Sequence, residues 1–348
     1  MRHTMKVAAV MSAAALALAA CGDSGSTDTS GDGATTSGGE KVKVGMAYDV
    51  GGRGDQSFND AAAAGLDKAK AELGVEAKEA TAVDKEPESA REERLQQLID
   101  AGYTSIVAVG FAYAPSLAKV SKANPDVHFA LVDSADAKAD NIANLTFAEQ
   151  EGSFLVGAAA AMKSKKNHVG FVGGVGVDLI KKFEAGFKAG AQAVNKDIKI
   201  DVTYLTQPPD FSGFADPAKG KTAAEGMYQG GADVVYHAAG GSGGGVFTAA
   251  KAAGGMAIGV DSDQALTAAP EVKDVIITSM IKKVDVAVYD YIKAEADGTF
   301  KSGEQIFDLK AGGVDYSTTG GKIDDIKAKL DEYKKQIIDG KITVPSKP

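Results

Sequence analysis

The sequence predicts an α/β protein built from two doubly wound, parallel-sheet lobes that are joined by a hinge and separated by a cleft. From residue 42 onward, apolar runs of strand length alternate with helical patterns, which is typical of parallel sheets with helices on both faces. Ten such runs are too many for one sheet, and 348 residues are many for a single core.

The N-terminus predicts a lipoprotein signal peptide over residues 1–20. Arg2 and Lys6 precede an apolar run from 7 to 20, which is shorter than the roughly 20 residues that span a bilayer. The run ends in the lipobox sequence LAAC at Cys21. The alternative, an ordinary buried cysteine, is disfavoured because the next residues are polar. We expect a lipidated Cys21, a flexible tether over residues 21–40 and a lipid anchor on the extracytoplasmic side of the cell membrane.

Residues 44–60 predict a strand, a loop and the start of a helix. Ser57 suits an N-cap and Asp60 an acidic capping box, so the helix should begin at Phe58. This loop would lie at the carboxyl end of the first strand, where open parallel sheets bind ligands. The ring of Phe58 and the amide of Asn59 suit a flat, hydrogen-bonding ligand. The alternative is that Phe58 packs the loop onto the core.

The remaining elements divide between the lobes. We assign 41–147 and about 265–310 to the first lobe and 148–264 to the second, with 311–348 packing near the hinge. The helix at 150–163 crosses between the lobes. The predicted strands are 42–48, 75–81, 105–109, 128–132, 142–147, 168–172, 198–205, 233–237, 257–260 and 275–280, and the predicted helices are 60–73, 89–101, 114–123, 150–163, 179–194, 218–229, 243–253 and 282–296.

Polar or aromatic side chains recur at the carboxyl ends of the predicted strands. Each alone is more often a cap or turn residue, but together they would face one cleft between the lobes. Carboxylates in such a cleft accept the paired hydrogen bonds that vicinal hydroxyls of a sugar donate. The residues are Asp49, Phe111, Tyr113, Asp133, Tyr236, His237, Asp261 and Asp263.

Several function classes are disfavoured. A formal net charge of -9 argues against a nucleic-acid partner, and a single Cys allows no intrachain disulfide or Cys-based metal site. The glycine-rich turns at 173–176 and 240–245 do not fit the dinucleotide fingerprint, and no P-loop, H-E-x-x-H or G-x-S-x-G sequence occurs. We therefore expect no cofactor and no enzymatic activity.

A set of short motifs in a fixed order resembles the basic membrane protein family of lipoproteins, the PnrA-like nucleoside-binding proteins of ABC transporters. The resemblance spans nearly all of residues 41–345. Its motifs are Cys21 in the lipobox, GDQSFN at 54–59, FADPAKGK at 214–221, GAD at 231–233, AGGSG at 239–243, IGVDSDQ at 258–264 and SMIKKVD at 279–285.

The resemblance implies a type I periplasmic-binding-protein fold that closes on a purine or other nucleoside. It implies that Phe58 stacks on one face of the base and Tyr236 on the other, where Tyr stands in place of the family's Phe. Asn59 and Asp133 would then hydrogen-bond the base. The positions matching those around the ribose are Asp49, Gly241, Asp261 and Lys282.

The predicted function is that of a monomeric, lipid-anchored receptor that captures nucleosides and delivers them to an ABC permease in the membrane. A sugar or autoinducer receptor of the same fold is the main alternative, because its site would also use aromatic rings and carboxylates. A secreted nucleoside hydrolase is the alternative from another class. It would need a metal site, and Asp261 and Asp263 alone are too little for one.

Overall fold

The computed structural model describes residues 41–348, and the predicted signal peptide, lipidated Cys21 and tether lie outside the described residues. The described chain forms two six-stranded sheets, one in each lobe. The first sheet has the order β11-β5-β4-β3-β1-β2 and is parallel throughout. Its strands are β1 (Lys43–Tyr48), β2 (Glu76–Thr81), β3 (Ser105–Ala108), β4 (His128–Val132), β5 (Ile142–Phe147) and β11 (Gly303–Phe307).

The second sheet repeats this arrangement with the order β12-β10-β9-β8-β6-β7. Its one antiparallel pair joins β10 to β12 at the edge. The doubly wound, two-lobed prediction is thereby confirmed. The strands are β6 (His168–Val175), β7 (Lys199–Thr206), β8 (Val234–Ala238), β9 (Met256–Asp261), β10 (Ile276–Lys282) and β12 (Val314–Tyr316).

Helices cover both faces of each sheet, as parallel strands require. Within the described residues, no helix is long and apolar enough to cross a membrane. The helices are α1 (Phe58–Leu73), α2 (Glu88–Asp100), α3 (Ala114–Ala123), α4 (Glu149–Lys163), α5 (Asp178–Val194), α6 (Pro217–Gln229), α7 (Gly243–Ala253), α8 (Gln264–Thr267), α9 (Val284–Ala296) and α10 (Lys327–Ile338).

The chain crosses between the lobes three times, after β5, after β10 and after β11. Neighbouring crossings are hydrogen-bonded to each other. The amide of Ala148 donates to the carbonyl of Phe307 at 3.1 Å, and the amide of Lys283 donates to the carbonyl of Gly313 at 2.8 Å. These paired crossings form the hinge.

The lobe boundaries differ from the predicted ones in two places. Residues 265–310 do not all belong to the first lobe, because β10 pairs in the second sheet and the chain returns only with α9. Residues 311–348 complete the second lobe rather than only lying near the hinge: β12 pairs with β10, and Tyr333 of α10 packs edge-on against Phe154 of α4. The strand β11 escaped prediction because GEQIF is an exposed, largely polar edge strand without an apolar run.

Candidate functional site

A cleft lies between the lobes, at the carboxyl ends of both sets of strands. Six of the eight predicted ligand-binding residues line it: Asp49, Phe58, Asn59, Asp133, Asp261 and Lys282. Of the eight strand-end residues predicted to face one cleft, Asp49, Phe111, Asp133 and Asp261 line it, whereas Tyr113, Tyr236, His237 and Asp263 do not. The other lining residues are Val50, Asp55, Phe111, Leu179, Ile180, Phe183, Phe214, Ala238, Gly240 and Val260.

The first turn of α1 presents Phe58 and Asn59 to the cleft, and α1 begins at Phe58 as predicted. The predicted capping box is wrong, however. The carboxylate of Asp55 takes the capping role by accepting hydrogen bonds from the amides of Ser57, Asn59 and Asp60. The amide group of Asn59 is also engaged by protein, since Oδ1 accepts from the Asp49 amide at 3.1 Å and Nδ2 donates to Asp55 at 3.1 Å.

The hydroxyl of Ser57 is free to cross the cleft because Asp55 caps the helix. Ser57 Oγ donates to Asp261 Oδ2 at 2.6 Å, so this bond joins the first lobe to the second. The serine that local sequence rules assign to a helix cap thus serves the contact between the lobes instead. Sequence reasoning missed this role because the partner lies 204 residues away.

Asp133 and Asp261 occupy equivalent positions in the two lobes. Each lies at the carboxyl end of the corresponding strand of its sheet, β4 or β9, within a repeated Val-Asp-Ser sequence. Both have left-handed backbones, with φ of 70° and 63°. Residues other than glycine adopt this conformation at a cost, and such strain collects at ligand sites. The repeat therefore aims one carboxylate from each lobe into the cleft.

Lys282 places the cleft's central positive charge at the end of β10. Its side chain is 2% exposed, with Nζ 2.6 Å from Asp133 Oδ2 and 3.4 Å from Glu149 Oε1. Burial opposes the ammonium charge, but Asp133, Glu149 and Asp261 outweigh burial and raise the pKa of Lys282 above its ordinary value. Glu149 was missed by sequence reasoning, because an acidic residue in the first turn of a helix looks like an ordinary dipole partner.

The carboxylates in the cleft are held in a weakly solvated environment. Burial raises the pKa of Asp49 and of Asp261 to about 6. It raises the pKa of Asp133 as well, although the nearby Lys282 ammonium acts in the opposite direction. Hydrogen bonds donated by a ligand would supply the solvation that these buried carboxylates lack.

Of the eight predicted ligand-binding residues, Tyr236 and Gly241 do not line the cleft. Tyr236 is 0% exposed on β8, where it packs against Phe171 and Phe187 and its hydroxyl lies 3.2 Å from Ser153 Oγ. The alternation of side chains along a strand directs this ring into the core, although it lies close to the strand end. Gly241 lines a separate surface groove, and its neighbour Gly240 lines the cleft.

Two phenylalanines supply the second-lobe wall in place of Tyr236. Phe183 lies in the second turn of α5 and Phe214 lies before α6, and both line the cleft. Lys282 Nζ lies 5.0 Å from the ring centroid of Phe58 and 5.5 Å from that of Phe183, so aromatic faces from the two lobes approach the same charge. The available sequence signal for Phe183 was the glycine-rich turn at 173–176, because it marks the loop between β6 and α5 at the carboxyl end of a strand.

The site contains the groups for binding but not those for metal-assisted chemistry. Among residues 41–348, no cluster of three or more His, Cys, Asp or Glu side chains is arranged to hold a metal ion. A cleft with aromatic walls, fixed carboxylates and a hinge beneath it defines a solute-binding protein of the two-lobed type.

The chain belongs to the PnrA-like family of ABC transporter substrate-binding proteins, whose family model matches residues 41–347. It is therefore a solute-binding component of a transporter and not an enzyme.

Similar proteins support this assignment over nearly the full length. A Listeria innocua protein named CD4+ T-cell-stimulating antigen is 38% identical over 97% of this chain and 96% of its own length. The ABC transporter nucleoside-binding protein BmpA of Lactococcus lactis is 35% identical over 99% of both chains. The crystal structure of a solute-binding protein of an ABC transporter system from Aeropyrum pernix K1 has a TM-score of 0.77 at 32% identity, covering 88% of this chain and 93% of that one.

Proposed function

We propose that this protein captures nucleosides, and purine nucleosides first, in the cleft and delivers them to a membrane permease as a monomer. The observation that carries the proposal is the pairing of aromatic rings from both lobes with fixed carboxylates in one cleft. A nucleoside has a flat base that stacks on aromatic rings and a ribose whose hydroxyls donate to carboxylates. The Lactococcus lactis relative, named as nucleoside-binding, supports the same ligand class.

The lining residues suggest a division of roles. The base would lie between Phe58 and the second-lobe wall of Phe183 and Phe214, with Asp133 accepting from its edge. Asp49, Asp261 and Lys282 would contact the ribose. Asn59 would contribute mainly by fixing the loop, since both of its Nδ2 hydrogens have protein acceptors in Asp55 and the Val50 carbonyl.

Two measurements test the ligand class. Mass spectrometry of the compound retained by natively purified protein should identify a nucleoside, and a retained sugar would favour the alternative receptor. Calorimetry of Asp261→Asn should show a far greater loss of affinity for adenosine or guanosine than for adenine or guanine, because the change puts a donor where the ribose needs an acceptor. Equal losses for nucleoside and free base would refute the ribose role of Asp261.

The lipid anchor is part of the same proposal, and the LAAC sequence ending at Cys21 supports it. The variant Cys21→Ser should be released from membranes into the soluble fraction, whereas the parent should stay bound through a salt wash. A variant that remains membrane-bound after that wash would contradict lipidation at Cys21.

A further inference from the structure

Two segments facing each other across the lobes are joined by three hydrogen bonds. We call residues 55–57 of the first lobe and 261–264 of the second the latch segments. Besides the bond from Ser57 to Asp261, Ser262 Oγ donates to the Ser57 carbonyl at 3.2 Å. Gln264 Nε2 donates to the Gln56 carbonyl at 3.0 Å. The last two bonds do not involve any predicted ligand-binding side chain.

Gln264 is held within the second lobe in one amide orientation. Its Oε1 accepts from the Val260 amide at 2.9 Å and lies 3.0 Å from His237 Nε2. A backbone N–H requires an acceptor, so Oε1 must face Val260 and Nε2 must face the other lobe. The backbone amide of Gln264 is also fixed, by donating to Ser279 Oγ at 3.1 Å. The donor for Gln56 is therefore aimed by contacts that do not involve the first lobe.

His237 supports this orientation from beneath. Because Oε1 only accepts, the proton of the neutral imidazole must be on Nε2. The ring is 0% exposed, and burial lowers the pKa of His237 to about 4, so it stays neutral near physiological pH. Phe247 packs edge-on at 5.1 Å, and a Cβ at Gly243 would collide with the imidazole. The packed imidazole of His237 is therefore fixed in place and holds the side-chain amide of Gln264 in one orientation.

The first-lobe side of the contact is equally well fixed. Asp60 accepts hydrogen bonds from the amides of Gly54 and Gln56, and Asp55 accepts from that of Ser57. Gln56 itself has a left-handed backbone, with φ of 55°. A strained conformation at a residue other than glycine persists where the surrounding bonds enforce it. The carbonyl oxygens of Gln56 and Ser57 are thus presented as fixed acceptors.

We propose that Gln264 is a positioning residue that locks the closed lobes over bound ligand, with His237 orienting its amide. The bond to Gln56 forms only when the lobes meet, so it slows opening and ligand release while leaving the approach of ligand to the open cleft unaffected. Ser262 reinforces the same lock through the Ser57 carbonyl. The lock rests on the proposed nucleoside function only in the choice of ligand for the experiment.

The experiment compares dissociation rates of adenosine and guanosine from the full chain by stopped-flow displacement. Gln264→Glu retains the acceptors for Val260 and His237 but replaces the donor that faces Gln56, and should release nucleoside roughly 5- to 50-fold faster. Association should stay within about twofold of the parent. Ser262→Ala adds no charge and should release nucleoside roughly 2- to 10-fold faster.

Ser134→Ala is the matched control. Ser134 occupies the equivalent place in the other Val-Asp-Ser repeat, but its hydroxyl accepts from the Asp136 amide within its own lobe. Its dissociation rate should match that of the parent. The lock is refuted if Gln264→Glu and Ser262→Ala release nucleoside no faster than Ser134→Ala.

Failure of the ligand assignment is distinguishable from failure of the lock. A parent protein that binds neither nucleoside refutes the proposed function, and the lock is then tested by X-ray scattering without ligand. In that case Gln264→Glu must have a larger radius of gyration than the parent. Equal radii would overturn the proposal.

Discussion

At the scale of single residues, the site depends on carboxylates whose charge is poorly solvated. The side chains of Asp49, Asp133 and Asp261 are buried in one cleft, and Lys282 is the single lysine among residues 41–348 that lines it. Such groups reduce stability in the unliganded protein, because a buried charge with incomplete partners is costly. The cost is expected of a site prepared to accept hydrogen bonds from a ligand.

We predict that Asp261→Asn stabilises the unliganded protein near neutral pH. Burial raises the pKa of Asp261 from 3.8 to about 6, so its contribution to stability is complete below about pH 4 and is lost as pH rises through 6. The variant should exceed the parent by about 1–3 kcal/mol in unfolding free energy at neutral pH and lose this advantage near pH 4. Asn tolerates the left-handed backbone. Denaturant titrations at both pH values provide the test, and a pH-independent difference would contradict it.

A second residue-scale prediction concerns the aromatic walls. Phe58→Ala should weaken nucleoside binding roughly 5- to 100-fold, because stacking of a base on an aromatic ring contributes about 1–3 kcal/mol. Phe183→Ala and Phe214→Ala identify which second-lobe ring faces Phe58. Tyr236→Phe is the control: its ring lies in the core, so binding should match the parent in calorimetry. Parental affinity in Phe58→Ala would refute stacking on that ring.

At the scale of elements, α4 and α5 pack closely because glycines bring their backbones together. A Cβ at Gly190 of α5 would collide with the carbonyl oxygen of Phe154 in α4, and one at Gly186 would collide with that of Gln150. Glu149 lies on α4 and Phe183 on α5, so the distance between the two helices sets where these side chains lie in and beside the cleft. Sequence periodicity alone identifies the helices but not how closely they approach.

Alanine substitution at two helical glycines should therefore have opposite effects on stability. Gly190→Ala should lower the free energy of unfolding by about 1–3 kcal/mol, because the helices must separate. Gly226→Ala, at an exposed position of α6 with open space around it, should raise stability by up to about 1 kcal/mol through helix propensity. Urea unfolding midpoints distinguish the two, and a loss of stability in both variants would contradict the close-packing explanation.

At the scale of the whole molecule, the described structure is a closed form. Bonds across the cleft, among them Lys282 to Asp133 and Ser57 to Asp261, each measure 2.6 Å. Three hydrogen-bonded crossings connect the lobes, so the expected motion is a rotation about that hinge.

Small-angle scattering should detect this motion. We expect a larger radius of gyration without ligand than with saturating adenosine or guanosine, because the cross-cleft bonds compete with solvent until a ligand fills the cavity. The variant Lys282→Met, which removes the bridging charge, should be more open than the parent in the absence of ligand. Hinge closure would be contradicted if ligand left the scattering profile of the parent unchanged and the profile of Lys282→Met were the same as that of the parent.

The sequence by itself determined the two parallel-sheet lobes, the start of α1 and three carboxylates of the cleft, those of Asp49, Asp133 and Asp261. These follow from local rules: apolar periodicity defines the strands, and carboxyl ends of parallel strands collect at one edge. Asp133 and Asp261 come at the ends of predicted strands, and both line the cleft.

Only the tertiary structure decided which face of a strand meets the cleft and which residues meet across it. Tyr236 lies in the core because one residue of register reverses the direction of a side chain. Phe183, Glu149 and the contact of Gln264 with Gln56 depend on helix packing and on pairs as far as 208 residues apart. No local pattern encodes such pairs, because their geometry is set by the packing of both lobes around the hinge.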